Sequence, residues 1–188
     1  YGLLTGEAID LKTGWDLISS QERKRCMQWV RQARPLVLIL SPPCTAFSRL
    51  QNLNNWSDKR EREMWRGSRL LKFAMELAEE QRSQGRYFIF EHPEAASSWG
   101  RKEVQKMAQR PDVKTVVGDQ CMYGLTTRTR DGQKMKAKKA TKFMTNIDEA
   151  EDYLGTRCDQ SHVHQHLTGG RAKAAEIYPE KLCRALVK

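Results

Sequence analysis

Two apolar runs in this chain each stop at a side chain that can do chemistry. In "LVLILSPPCTAFS" (36–48) a Leu/Val/Ile run halts at Pro42 and Pro43, and Cys44 comes next; in "YFIFEHP" a second run halts at Glu91, His92 and Pro93. Proline has no amide hydrogen to give a sheet ladder, so each run reads as a buried strand that must end there. In open α/β sheets, ligands gather beyond the carboxyl ends of the strands. Cys44 and Glu91 would then face one crevice. A thiol beside a carboxylate suits nucleophilic addition to an electron-poor ring, with the carboxylate holding or protonating that ring. Each residue alone has a plainer reading, as a small buried hydrophobe or as a solvated strand cap.

A second group is "CDQSHVHQHLTGG", which gathers Cys158, His162, His164 and His166. On a helix Cys158, His162 and His166 would share a face, and on a strand the three histidines would. Cysteine and histidine form a chemically sensible zinc set, but this spacing matches no closed zinc motif. Contacts to a phosphate backbone or packing against a sheet are the other readings. The remaining cysteines, 26, 44, 121 and 183, form no CxxC pair. That pattern argues against a disulfide framework and for a reducing compartment.

The formal charge of the 188-residue chain is +10. The segment 128–142, "RTRDGQKMKAKKATK", holds seven Lys/Arg against a single Asp. Arg128, Arg130, Lys134, Lys136, Lys138, Lys139 and Lys142 thus form a candidate footprint for a polyanion, nucleic acid first, unless the segment is simply a solvated loop. No apolar stretch is long enough to span a bilayer, and no secretory signal opens the chain. An intracellular protein of the nucleus or cytoplasm is expected, either a monomer or part of a larger polypeptide.

The elements that position these groups come in a regular order. Ser19 and Glu22 make a capping box for a helix carrying Cys26, Trp29, Val30 and Ala33, which ends before Pro35. The 36–40 strand comes next. Ser57 caps a long helix with a core stripe of Trp65, Leu70, Leu71, Ala74, Leu77 and Ala78, closed by Gly85. The 87–93 strand, a helix over 101–109 and a strand over 114–118 complete the series. This alternation predicts βαβ units and a mainly parallel sheet. Beyond it the pattern weakens to a basic loop, a short strand over 141–146 and short helices broken at Pro179. We read one domain across 1–188: a catalytic core over 1–118, then the basic loop and C-terminal elements over 119–188 as substrate contacts.

"SPPCTAFS" resembles the catalytic motif of the DNA cytosine-5 methyltransferases, in which a Pro-Cys pair follows a buried strand and an aromatic-Ser pair comes shortly after. "FEHP" resembles that family's Glu-Asn-Val motif, and "YGLTTRTR" (123–130) a shortened Gln-x-Arg-x-Arg segment. The likeness runs in order over about residues 8 to 146. It implies a Rossmann-like S-adenosylmethionine-dependent methyltransferase fold with a mainly parallel sheet, truncated at its first strand. It also implies methyl transfer to carbon 5 of cytosine in DNA, with RNA as another substrate.

By the same resemblance Cys44 would attack carbon 6 and Glu91 would hold ring nitrogen 3 and the exocyclic amine. Arg128 and Arg130 would hold the base, the catalytic loop or phosphates, and Ser48 would join the nucleic-acid contacts. Asp10 and Asp16 would meet the cofactor's ribose hydroxyls and adenine amine, with its methionine end near Pro42. The family's aromatic-x-Gly-x-Gly turn has no counterpart here, His92 replaces the usual Asn, and there is no room for a large target-recognition region. A catalytically silent nucleic-acid-binding relative is the rival reading.

Overall fold

The computed structural model describes residues 4–48, 57–168 and 170–188. It divides into two compact units, one over Leu4–Lys114 with Met144–Ile147, the other over Thr115–Phe143 with Asp148–Lys188.

In the first unit Asp10 caps a 3-10 turn at Leu11–Thr13. The Ser19 hydroxyl accepts from the Glu22 amide to start α1, Ser20–Ala33. Arg34 then takes a left-handed conformation, φ 47°, because Pro35 disfavours a further helical residue before it. Strand β1 covers Val37–Leu40, and a 3-10 turn, Thr45–Phe47, comes after Cys44. Ser57 caps the long helix α2, Asp58–Ser83. Strand β2, Tyr87–Pro93, a 3-10 turn at Ser97–Gly100 and α3, Lys102–Ala108, complete this part.

The β1–α2–β2 crossover gives the expected parallel pair, with Val37 opposite Tyr87 and Leu40 opposite Phe90. Phe88, Ile89 and Phe90 are all buried, so β2 is covered on both faces. Phe88 and Phe90 pack with Val30, Leu71, Ala74, Ala78, Val104 and Trp99 into the main core.

A mainly parallel Rossmann-like sheet does not form. Strand β3 covers Lys114–Asp119 and β6 covers Ala140–Thr145, and the four-stranded sheet has the order β1-β2-β6-β3. The β1–β2 pair is its one parallel pair, and the sheets are mixed. A strand–helix–strand rhythm predicts β3 beside β2, reached through α3. That position is taken by the end of β6, because Thr145 Oγ1 donates to the Phe88 carbonyl at 2.6 Å and Asn146 Oδ1 accepts from the Phe88 amide at 3.0 Å.

The sheet order also leaves β1 at an edge. Leu36 and Ile39 are 60% and 44% exposed, although their run reads as a fully buried strand. Trp65, which periodicity puts in the core stripe of α2, is 54% exposed, and the Arg69 guanidinium lies over its ring.

In the second unit the segment expected as a basic loop is a paired hairpin. Strands β4, Thr126–Arg128, and β5, Lys134–Ala137, run antiparallel with Thr126 opposite Lys136 and Arg128 opposite Lys134. The turn between them carries Asp131 and Gly132, the latter at φ 86°, the left-handed geometry that glycine supplies without strain. Strand β7, His164–Gln165, adds parallel to β5, giving a three-stranded sheet of order β4-β5-β7. Helices α4, Ala150–Leu154, α5, Arg171–Ala174, and α6, Glu180–Leu186, complete the unit. Around the hairpin the buried apolar cluster is small: Leu125, Ala137 and Ala175, with Leu167 packed against them.

Among the described residues no helix is long and apolar enough to cross a membrane.

Candidate functional site

Parallel pairing sends β1 and β2 out of the sheet in the same direction, so the chain leaves both strands at one end of the sheet. Leu40 and Phe90 are partners in register. Beyond Leu40 come Ser41, Pro42, Pro43 and Cys44, and beyond Phe90 come Glu91 and His92. Cys44 is half-buried at the head of its 3-10 turn, and its carbonyl accepts from the Phe47 amide at 2.9 Å. Glu91 is buried at 7% exposure, still within β2.

His92, fully buried, joins the two segments. Its Nε2 lies 2.9 Å from the Pro42 carbonyl oxygen and its Nδ1 2.7 Å from Ser98 Oγ. A carbonyl only accepts, so Nε2 carries the proton and Nδ1 accepts from the Ser98 hydroxyl. Burial pushes the His92 pKa down to about 4, against a smaller opposing effect of the Pro42 bond, so the ring is neutral at pH 7. Its faces pack against Phe90 and Phe47, with centroids at 4.9 and 5.9 Å. His92 thus ties the loop that carries Cys44 to β2 and to the Ser98 turn. Pro42, expected near a cofactor, contributes its carbonyl as the anchor of the Cys44 loop. Ser48 closes the Cys44 turn, its amide donating to the Thr45 carbonyl at 3.2 Å.

The two acids expected at a cofactor each make local turn bonds through Oδ1. Asp10 Oδ1 accepts from the amides of Lys12 and Thr13 at 2.6 and 3.2 Å, as the cap of its 3-10 turn. Asp16 Oδ1 accepts from the Ile18 amide at 3.1 Å. Both are ordinary turn-forming aspartates.

Arg128 and Arg130 belong to the second unit, on β4 and in the hairpin turn, whereas Cys44 and Glu91 belong to the first. Arg128 Nη1 donates to the Gly132 carbonyl at 2.9 Å and so braces the hairpin. Lys136 Nζ donates to the Cys121 carbonyl at 3.0 Å, and Lys139 Nζ to the Ala175 carbonyl at 2.9 Å. These two lysines serve the fold, while Lys134, Lys138 and Arg130 are exposed. Lys142 is half-buried on β6. Of the tryptophans that could stack on bases, Trp99 is buried with its Nε1 donating to the Pro93 carbonyl at 2.9 Å, and Trp56 lies outside the described residues.

The cysteine–histidine segment forms a tighter constellation than its spacing suggests. The ligand atoms of Cys121, Cys158, His162 and His164 all lie within 4.8 Å of one another. Cys158 Sγ is 3.7 Å from His162 Nε2 and 3.5 Å from His164 Nε2. His166 is outside this group, and Cys121 joins Cys158, His162 and His164 in its place. Cys121 lies in the turn after β3, far away in sequence, and no local spacing could connect it to 158–164. Burial pushes its thiol up to about 11, and the Cys158 thiol and Asp119 carboxylate act in the same direction.

A scan against protein-family models and searches of curated proteins and of solved structures match nothing to this chain.

Proposed function

We propose that this chain modifies cytosine in nucleic acid, adding a methyl group to carbon 5 through a covalent Cys44 adduct. The observation that carries the reading is the exit of Cys44 and Glu91 from one end of two adjacent parallel strands, with the Cys44 loop tied to β2 by the His92–Pro42 bond.

The Cys44 thiolate adds to carbon 6 of the ring, and the displaced electron pair reaches nitrogen 3, which takes a proton from the Glu91 carboxyl group. Carbon 5 is then the nucleophilic end of an enamine. After alkylation a water molecule takes the carbon 5 proton, the sulfur leaves with its bonding pair, and nitrogen 3 returns its proton to Glu91, restoring the aromatic ring, the carboxyl group and the free thiolate. S-adenosylmethionine is the methyl source that the family resemblance implies. The reacting ring must be unstacked or single-stranded, since attack comes from above its face. The exposed cations Arg130, Lys134 and Lys138 support a polyanionic substrate, with DNA as the first choice and an intracellular setting.

A second reading, a catalytically silent nucleic-acid-binding domain, draws on the local bonding of Asp10 and Asp16.

The deciding experiment incubates the protein with S-adenosylmethionine and oligonucleotides containing 5-fluorocytosine, as DNA and as RNA, beside Cys44→Ala. Fluorine at carbon 5 blocks the final elimination, so a methylated protein–oligonucleotide adduct should accumulate. An adduct that requires the cofactor and is lost in Cys44→Ala supports methyl transfer, and the oligonucleotide that traps it names the substrate. Binding without any adduct supports the silent reading.

A further inference from the structure

We propose that Cys121, Cys158, His162 and His164 form a structural zinc site that ties the turn after β3 to the 158–164 loop. Zinc takes two thiolates and two imidazoles in a closed tetrahedron, with Zn–S of about 2.3 Å and Zn–N of about 2.0–2.1 Å. Those bond lengths place neighbouring sulfur and nitrogen ligands about 3.6 Å apart. The two Cys158–histidine separations, 3.5 and 3.7 Å, straddle that edge length, and both histidines present Nε2. The two rings meet edge to face at 4.6 Å, as two imidazoles converging on one point do.

The surroundings hold the ligands in place. The Gln160 amide donates to Cys158 Sγ at 3.3 Å, and Gln160 takes a left-handed φ of 60° in making that turn. Asp119 Oδ2 accepts from the Cys158 amide at 2.8 Å and meets Arg157 at 3.1 Å. His164 is fixed by the pairing of β7 with β5, opposite Lys136, and the same Lys136 donates to the Cys121 carbonyl. Ser161 Oγ lies 3.5 Å from His162 Nδ1, the ring nitrogen that does not meet Cys158. Partners of this kind orient metal ligands.

The site joins the turn after β3 to the 158–164 loop. The apolar cluster beside the hairpin is Leu125, Ala137 and Ala175 with Leu167 packed against them, and a metal would add a cross-link next to it. Four protein ligands leave no open position, so the role is structural rather than catalytic. This inference does not depend on the proposed cytosine chemistry.

The test uses the full chain, without a polyhistidine tag, purified under reducing conditions. Metal analysis should find about one zinc per chain. Cobalt(II) substitution should give thiolate charge-transfer absorption and the visible bands of a tetrahedral site. Cys158→Ser and His162→Ala should lose both signals while His166→Ala keeps them. A chelator should lower the melting temperature of the wild type and leave that of His162→Ala unchanged. His162 is only half-buried, so its variant reports even if a cysteine variant fails to fold. Reduced, folded protein that carries no zinc and gives no cobalt spectrum would overturn the proposal. So would a Cys121–Cys158 disulfide in freshly isolated protein, or loss of metal from His166→Ala but not from His162→Ala. None of these readouts needs nucleic acid or a methyl donor, so failure here is distinguishable from failure of the proposed reaction.

Discussion

His92 and Pro42, fifty residues apart in the chain, are joined by a 2.9 Å hydrogen bond from Nε2 to the carbonyl oxygen. Proline carbonyls are available acceptors because the proline ring removes only the donor. The bond therefore uses the one polar backbone group that Pro42 has, at the point where β1 must stop. With Nδ1 accepting from the buried Ser98 hydroxyl, both ring nitrogens are satisfied by neutral partners. A neutral imidazole is the form this site holds.

Replacing His92 separates its two tasks. His92→Ala leaves the Ser98 hydroxyl and the Pro42 carbonyl without this partner and opens a cavity between Phe47 and Phe90. A loss of about 3 kcal/mol is expected in chemical denaturation. His92→Gln can still donate to Pro42, and should cost less stability. In the trapping assay His92→Ala should form adduct about 10²-fold more slowly, the scale of a nucleophile misplaced by about an ångström. Adduct formation at the wild-type rate by a folded His92→Ala would show that the Pro42 bond does not position Cys44.

The pH dependence of stability rests on the same ring. Its pKa falls from 6.5 to about 4 on folding, so between those values the unfolded chain binds the proton and the folded chain does not. By linkage, stability then rises with pH through this window. The neutral-ring contribution is fully present above pH 6.5 and is lost as pH falls towards 4, with a span of about 3 kcal/mol. Carboxylates also titrate in acid. The informative quantity is therefore the stability difference between wild type and His92→Gln, which should be flat above pH 6.5 and shrink below it. A difference constant from pH 7 to 4 would contradict a neutral buried ring.

Local grammar made much of this legible. Ser19 and Ser57 cap the helices that their positions announce, and the two Pro-terminated runs become adjacent parallel strands because one helix connects them. The sequence does not announce what enters the sheet from a distance. Met144 and Thr145 displace β3 from the side of β2, and nothing in a strand–helix–strand rhythm reports such an insertion. Trp65 fits a 3.6-residue period yet stays exposed, since periodicity fixes a face of the helix but not how far the core extends along it. Cys121 escapes for the same reason: its neighbours in space, 158–164, are not its neighbours in the chain. Asp10 and Asp16 each close a turn through Oδ1, a local role legible in the sequence beside the one the family resemblance implies.

Gly67 tests the other wall of the Cys44 turn. A Cβ at this α2 position would lie 2.9 Å from Ala46 Cβ and 3.4 Å from Phe47 Cε2. The helix has a glycine where the turn after Cys44 packs onto it. Gly67→Val should push the 45–47 turn outward, costing about 1–3 kcal/mol from overpacking and lowering the rate of adduct formation. Gly67→Ala carries a smaller clash and gains about 1 kcal/mol of helix propensity. It should stay near wild-type stability while still slowing the adduct. Unchanged rates in both variants would separate the turn from the chemistry.

Asp119 supports the proposed zinc site through the Cys158 amide rather than through a ligand side chain. Asp119→Asn keeps an acceptor oxygen but removes the charge that meets Arg157. Asp119→Ala removes both. Zinc affinity, measured by competition with a chromophoric chelator, should fall about tenfold in Asp119→Ala and less in Asp119→Asn. Equal affinity in all three proteins would show that the 158–164 loop is ordered without this bond.

The basic hairpin gives a prediction in which lysines of one segment behave differently. Arg130, Lys134 and Lys138 are exposed, whereas Lys136 Nζ is engaged by the Cys121 carbonyl. Each phosphate contact removed lowers the slope of log K against log salt by about 0.7 for single strands and about 0.9 for duplex DNA. The triple variant Arg130→Ala, Lys134→Ala, Lys138→Ala should therefore flatten that slope by about 2–3. Lys136→Ala should leave the slope near the wild-type value and instead lower the stability of the second unit by about 1 kcal/mol, the net worth of one lost hydrogen bond. If Lys136→Ala flattens the slope as much per residue as the triple variant does, its ammonium reaches phosphate in the complex and the Cys121 contact gives way on binding. If neither variant changes the slope, the hairpin is not the surface that meets nucleic acid.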